Sequence, residues 1–105
     1  MYYLTVWDKD LAATGKDGAL SRIEIPMDVA NFLFALDSEE FPILSSLSFD
    51  EYDLISGAEI ESLANEIIEV VRINPSVSGL IDLMLKKITE ARSLEKSILF
   101  DPFRG

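Results

Sequence analysis

The residues whose types and spacing could do chemistry gather in one short run. Asp50-Glu51-Tyr52-Asp53 places three carboxylates within four positions. Oxygen ligands of this kind suit calcium or magnesium, and paired carboxylates act as acid and base in glycoside hydrolysis. A helix–loop–helix calcium loop alternates Asp or Asn, turns on Gly and closes on Glu. Asp50 to Ile55 departs from that pattern at its third and sixth places, and no second motif accompanies it to build a sugar cleft. The run therefore reads as a solvated acidic loop. The tetrad Ser93-Leu94-Glu95-Lys96 matches the S-x-x-K of a serine nucleophile with a lysine base. Such a lysine must be desolvated, whereas a lysine at a helix end simply favours the negative end of the dipole, and the second reading is adopted. The sequence has no His and no Cys, which removes Ser-His-Asp and Cys-His sites, thiolate metal centres and disulfides. No catalytic, cofactor-binding or metal-ligating residue is assigned, and a non-enzymatic protein without a cofactor is expected.

Charge narrows the partners. Among 105 residues, 9 Lys and Arg face 19 Asp and Glu, for a net charge of −10. Binders of nucleic acid or of anionic membranes need the opposite sign. Twelve acids and no base lie between Arg22 and Arg72. From Val77 to Lys96 the balance reverses, with Lys86, Lys87, Arg92 and Lys96 against three acids. The middle of the chain thus makes a negative field, and the last helix is locally neutral to basic. The N-terminal run has no basic start followed by an apolar stretch, so a signal peptide is not expected. No stretch is apolar enough to span a membrane, and a cytoplasmic location is the default.

The elements that would position the acidic loop follow from periodicity. Tyr2 to Trp7 is aromatic and β-branched and predicts a strand. Asp8 to Gly18 reads as a loop, and Leu20 to Ile25 as a second strand stopped by Pro26. After Pro26, Val29, Phe32, Leu33 and Leu36 form one helical stripe, and Met27, Ala30 and Phe34 form another. Such a helix is either buried on both sides or waiting for a partner. Phe41 to Leu47 has no clean period and reads as an irregular link burying Phe41, Leu44 and Leu47. Ser48-Phe49-Asp50-Glu51 fits a capping box that could start a short turn.

Ser56-Gly57-Ala58-Glu59 is a second capping box, with Ile55 and Ile60 as its hydrophobic staple. The helix it opens carries Ile60, Leu63, Ala64, Ile67, Ile68, Val70 and Val71 on one side and Glu59, Glu61 and Glu66 on the other, ending at Asn74-Pro75. A third helix over Val77–Lys96 follows, with Asp82 and Lys86 spaced as an ion pair. Ser97 to Phe103 reads as a closing strand. The expected fold is one α+β domain spanning residues 1–105. It has three helices, the last two an antiparallel hairpin, and a small, mainly antiparallel sheet from the terminal strands.

Phe41-Pro42-Ile43-Leu44-Ser45-Ser46-Leu47, a polar Tyr-containing loop, two long helices and an aromatic final strand together resemble a group of small acidic bacterial proteins of polymorphic-toxin immunity type. The resemblance covers roughly residues 40–103 and implies an inhibitor that blocks a basic toxin domain. Charge supports the same reading, because an acidic inhibitor gains association rate against a basic cleft. Asp50, Glu51, Tyr52 and Asp53 are then the contact loop, with Glu59, Glu61 and Glu66 as flanking charge. Tyr52 is the aromatic anchor outside any apolar stripe. The alternative is a self-associating structural or regulatory subunit, a homodimer for example. It would use Met27, Ala30 and Phe34 on the first helix, with Leu83 and Leu94 on the third.

Overall fold

The aromatic N-terminal run becomes a central strand, and the sheet grows outward from it. The computed structural model describes residues 1–104. In chain order the elements are β1 (Tyr2–Trp7), α1 (Lys9–Ala13), β2 (Ala19–Ile25), α2 (Met27–Phe34), a 3-10 turn (Leu44–Ser46), β3 (Asp53–Ile55), α3 (Ala58–Ile73), a second 3-10 turn (Pro75–Val77), α4 (Ser78–Ser93) and β4 (Ser97–Asp101). The fold is α+β, with one four-stranded sheet in the order β2-β1-β4-β3. Every pairing is antiparallel, including that of the terminal strands β1 and β4.

The period-2 alternation of a strand sorts the two faces. Tyr2, Leu4, Val6, Ile25, Ile98 and Phe100 are fully buried on one face, where they meet Leu63 and Ile67 of α3 and Ile81, Met84 and Ile88 of α4. Fully burying a side chain of this size is worth about 1.5–3 kcal/mol. The opposite face is left open: Tyr3, Trp7, Arg22, Glu24 and Leu54 all reach solvent along it. The link Phe41–Leu47 buries Phe41, Leu44 and Leu47 as expected.

Several local expectations are corrected. The stretch read as a loop contains α1, because Asp8 caps it by accepting a hydrogen bond from the Leu11 amide at 3.0 Å. Thr14 and Gly15, at φ 87°, then stop it. Gly18 closes the β1–β2 connection where a Cβ would sit 2.8 Å from the Trp7 ring. The capping box at Ser48 does not form, because its hydroxyl accepts from the Asp50 amide at 3.2 Å, in a bend, rather than from the Glu51 amide. Ser56 does not cap α3 through its side chain. Its carbonyl takes the Glu59 amide at 3.2 Å, and its hydroxyl bonds Ser97 Oγ at 2.8 Å. Gly57, at φ 60°, is the capping residue instead.

Ile68 is exposed rather than part of the apolar arc. The last helix spans Ser78–Ser93, not Val77–Lys96, and Asp82 and Lys86 do not form an ion pair. It ends with Glu95 in the left-handed region at φ 57°, while the Lys96 amide bonds the Ala91 carbonyl at 2.8 Å. This is a Schellman arrangement with glutamate in the place glycine usually takes. Glu61 in the first turn of α3 pairs with Arg92 in the last turn of α4, so the two helices run antiparallel. Among the described residues four helices are present rather than three, α1 being the addition.

Candidate partner interface

The acidic loop is held at its two ends by aromatic side chains that leave it in different directions. Phe49 packs edge-on against Phe34 at 4.7 Å and Tyr2 at 5.5 Å between ring centroids, and so joins the core. Tyr52 is 56% exposed and meets Phe103, itself 55% exposed, at 5.0 Å in a T-shaped contact. Asp50 and Glu51 stand exposed between these anchors. The loop is therefore fastened from below by Phe49 and presents two carboxylates beside an aromatic pair.

Tyr52 also borders a shallow cleft of about 460 Å³ on the open sheet face, lined by Trp7, Leu54, Leu99, Asp101 and Arg104. The cleft's far wall is fixed by charge. Asp101 is buried at the end of β4, and its Oδ1 accepts from the Phe103 amide at 2.9 Å and the Arg104 amide at 3.1 Å. The Arg104 guanidinium then reaches both carboxylate oxygens of Asp17, at 2.9 and 3.0 Å. These hydrogen bonds, helped by the Ala19 amide, hold the Asp17 carboxyl below its usual range, and they raise Arg104 in turn. The bend they enforce after β4 carries Phe103 to Tyr52. β4 ends at Asp101, so Phe103 lies beyond the strand expected to run to it, and its contact with Tyr52 depends on the turn that follows. The signal was Asp101-Pro102, which ends a strand in a side-chain-capped turn.

The seven expected contact residues separate into three groups. Asp50, Glu51, Tyr52 and Glu59 are exposed and unpaired by any ion pair among the described residues. Glu61 is exposed but spends its charge on Arg92. Asp53 is half-buried and Glu66 is buried. Asp53 lies on β3 opposite Phe100, and its Oδ2 is buried with no hydrogen-bond partner. Burial pushes its carboxyl up, Glu51 pushes it further, and the Ser48 amide pulls it back in part. The neighbouring Tyr2 hydroxyl is likewise buried without a partner, and its phenol is raised by burial first and Asp53 second. Glu66 is only 7% exposed, and its carboxylate accepts from the amides of Ile43 and Leu44 at 3.0–3.1 Å. Its job is to cap the turn in the 41–47 link, and it is excluded from any surface field.

The alternative apolar surface also divides. Ala30 is fully buried and Phe34 belongs to the aromatic cluster, whereas Met27, Leu83 and Leu94 are exposed. Among the described residues no three acidic side chains converge as a metal site would require, and no helix is long and apolar enough to cross a membrane. No protein-family model, curated protein or solved structure matches the chain.

Proposed function

We propose that this is a non-enzymatic, cytoplasmic binding protein of inhibitor type that holds a basic protein partner, such as a toxin domain, at the β3 end of its sheet. The observation that carries the proposal is the opposed anchoring of the 48–53 loop. Phe49 is locked into the core while Tyr52 and Phe103 form an exposed aromatic pair. Exposed aromatics beside a cleft act as interface anchors. Asp50, Glu51 and Glu59 around them supply a negative rim that steers a cationic surface and sets the salt dependence. Glu61, partly neutralised by Arg92, contributes less, and Asp53 and Glu66 contribute through structure alone.

The experiment is affinity capture from lysate of the source organism, run in parallel with wild type, Tyr52→Ala and the pair Asp50→Asn/Glu51→Gln. Supporting the proposal would be a basic protein retained by wild type, released by raised salt and lost with Tyr52→Ala. It should elute at lower salt from the charge-neutralised pair. Retention of the same proteins by all three forms would show that the loop is not the interface and would sink the proposal.

A further inference from the structure

At the other end of the sheet, β2 is an edge strand whose outer backbone has no neighbour in the strand order. Its regular stretch is short and well bounded. The register with β1 shifts between Val6 and Trp7, so Leu20 is a bulge, and Pro26 ends the strand on the other side. Between them run Ser21-Arg22-Ile23-Glu24-Ile25, five residues centred on Ile23. Arg22 and Glu24 lie on the open face, on either side of that centre, and neither forms an ion pair among the described residues.

We infer that β2 pairs with the β2 strand of a second copy of this chain, antiparallel about a two-fold axis through Ile23, joining the two sheets into one.

An antiparallel two-fold must pass through a residue, because directly opposed residues share the same side of the sheet. A two-fold at Arg22 opposes Arg22 with its own copy, and one at Glu24 opposes two glutamates; both arrangements repel. A two-fold at Ile23 sets Arg22 opposite the partner's Glu24 and Glu24 opposite the partner's Arg22. It also uses the whole regular stretch and brings the two half-buried Ile23 side chains together on the helix-covered face. Charges on an edge strand ordinarily discourage pairing. Here their symmetric placement makes self-pairing the arrangement in which each finds its complement. Leu20 and Met27, 44% and 50% exposed, flank the stretch. The inference is independent of the proposed partner site, which lies beyond β3 at the opposite edge.

The test is sedimentation equilibrium of the full chain from about 5 to 500 µM. A concentration-dependent dimer is expected in the wild type. Arg22→Glu alone and Glu24→Arg alone should each weaken it by about tenfold or more, and the double swap should restore it to within about threefold. Thermal melts check that each variant is folded. A second readout uses the absence of native cysteine. Equal amounts of Arg22→Cys and Glu24→Cys chains, mixed under mild oxidant, should form a disulfide-linked heterodimer, and either alone should not. That mixed dimer keeps one Arg22–Glu24 pair intact. A wild type that stays monomeric at the top concentration overturns the inference. So does a dimer indifferent to single charge reversal, or cross-linking that is no greater in the mixture than in the separate chains.

Discussion

Replacing Glu66 tests whether a buried carboxylate holds the 41–47 link in place. Its Oε1 accepts from the Leu44 amide at 3.0 Å and from the Ile43 amide at 3.1 Å, and its Oε2 also faces the Ile43 amide at 3.1 Å. A hydrogen bond to a charged group contributes about 1.5–3 kcal/mol. Glu66→Ala strands the Leu44 N–H in a dry site, while the half-buried Ile43 N–H can recover water. Removing a buried charge also returns some desolvation energy. The expected loss is therefore about 2–4 kcal/mol, which lowers the melting temperature of a domain this size by about 10–25 °C. Glu66→Gln keeps an acceptor at Oε1 but turns an amide NH₂ toward the Ile43 N–H, so about half that loss is expected. Urea titration followed by the single Trp7 measures both, and amide exchange should rise at Ile43 and Leu44 before it rises in α4. A Glu66→Ala loss below about 1 kcal/mol, or unchanged exchange at those two amides, refutes the capping argument.

Three further outcomes follow from the same kind of reasoning. The Asp53 carboxyl is raised by burial and then by Glu51. An acid raised in the folded state binds its proton more tightly there, so stability falls as pH rises through the window between its unfolded and folded pKa values. Asp53→Asn, fixed in the neutral form, should melt higher than wild type at pH 7 and close to it at pH 3, as scanning calorimetry at the two pH values would show. Glu95→Gly should raise stability by about 0.5–1 kcal/mol in denaturant titration, because it removes a left-handed non-glycine residue from the Schellman turn. Gly18→Ala should cost about 1–3 kcal/mol and shift Trp7 fluorescence, since the new methyl meets the Trp7 ring and the Asp8 carbonyl.

Where a stretch made one strong local demand, the sequence predicted the structure. Tyr2–Trp7 and Leu20–Ile25 are strands because nothing competes with their alternation, and the link 41–47 buries its three expected large apolar side chains. Where one residue had two possible partners, tertiary contact decided. Ser56 had both the Glu59 amide and the distant Ser97 hydroxyl within reach of the folded chain, and only the first is visible locally. Glu66 lies at the edge of the buried arc, three residues past Leu63 and four before Val70, and nothing in that helix foretells two bare amides arriving from 22 and 23 residues away. β3 is three residues long, too short for periodicity to speak, and exists because β4 offers it an edge. Of the expected contact loop, the exposed acids and Tyr52 were legible from composition. The half-burial of Asp53 was not, since it depends on the register that sets it opposite Phe100.

The order of the helices explains why the two edges of the sheet present different chemistry. α3, whose first turn carries Glu59 and Glu61, packs beside β3, while α4, with Lys86 and Lys87, lies over β1 and β2. The acidic loop and the first turn of α3 thus lie at one edge, and the more balanced final helix lies toward the other. Two copies of a protein with a net charge of −10 repel least when the β2 edges face each other and the acidic loops point away. In the proposed assembly a cationic partner would be drawn to the opposite ends. The proposed strand pairing through β2 and the proposed capture of a basic surface at Tyr52 would therefore not compete, and a paired assembly would display two such surfaces, one beyond each β3.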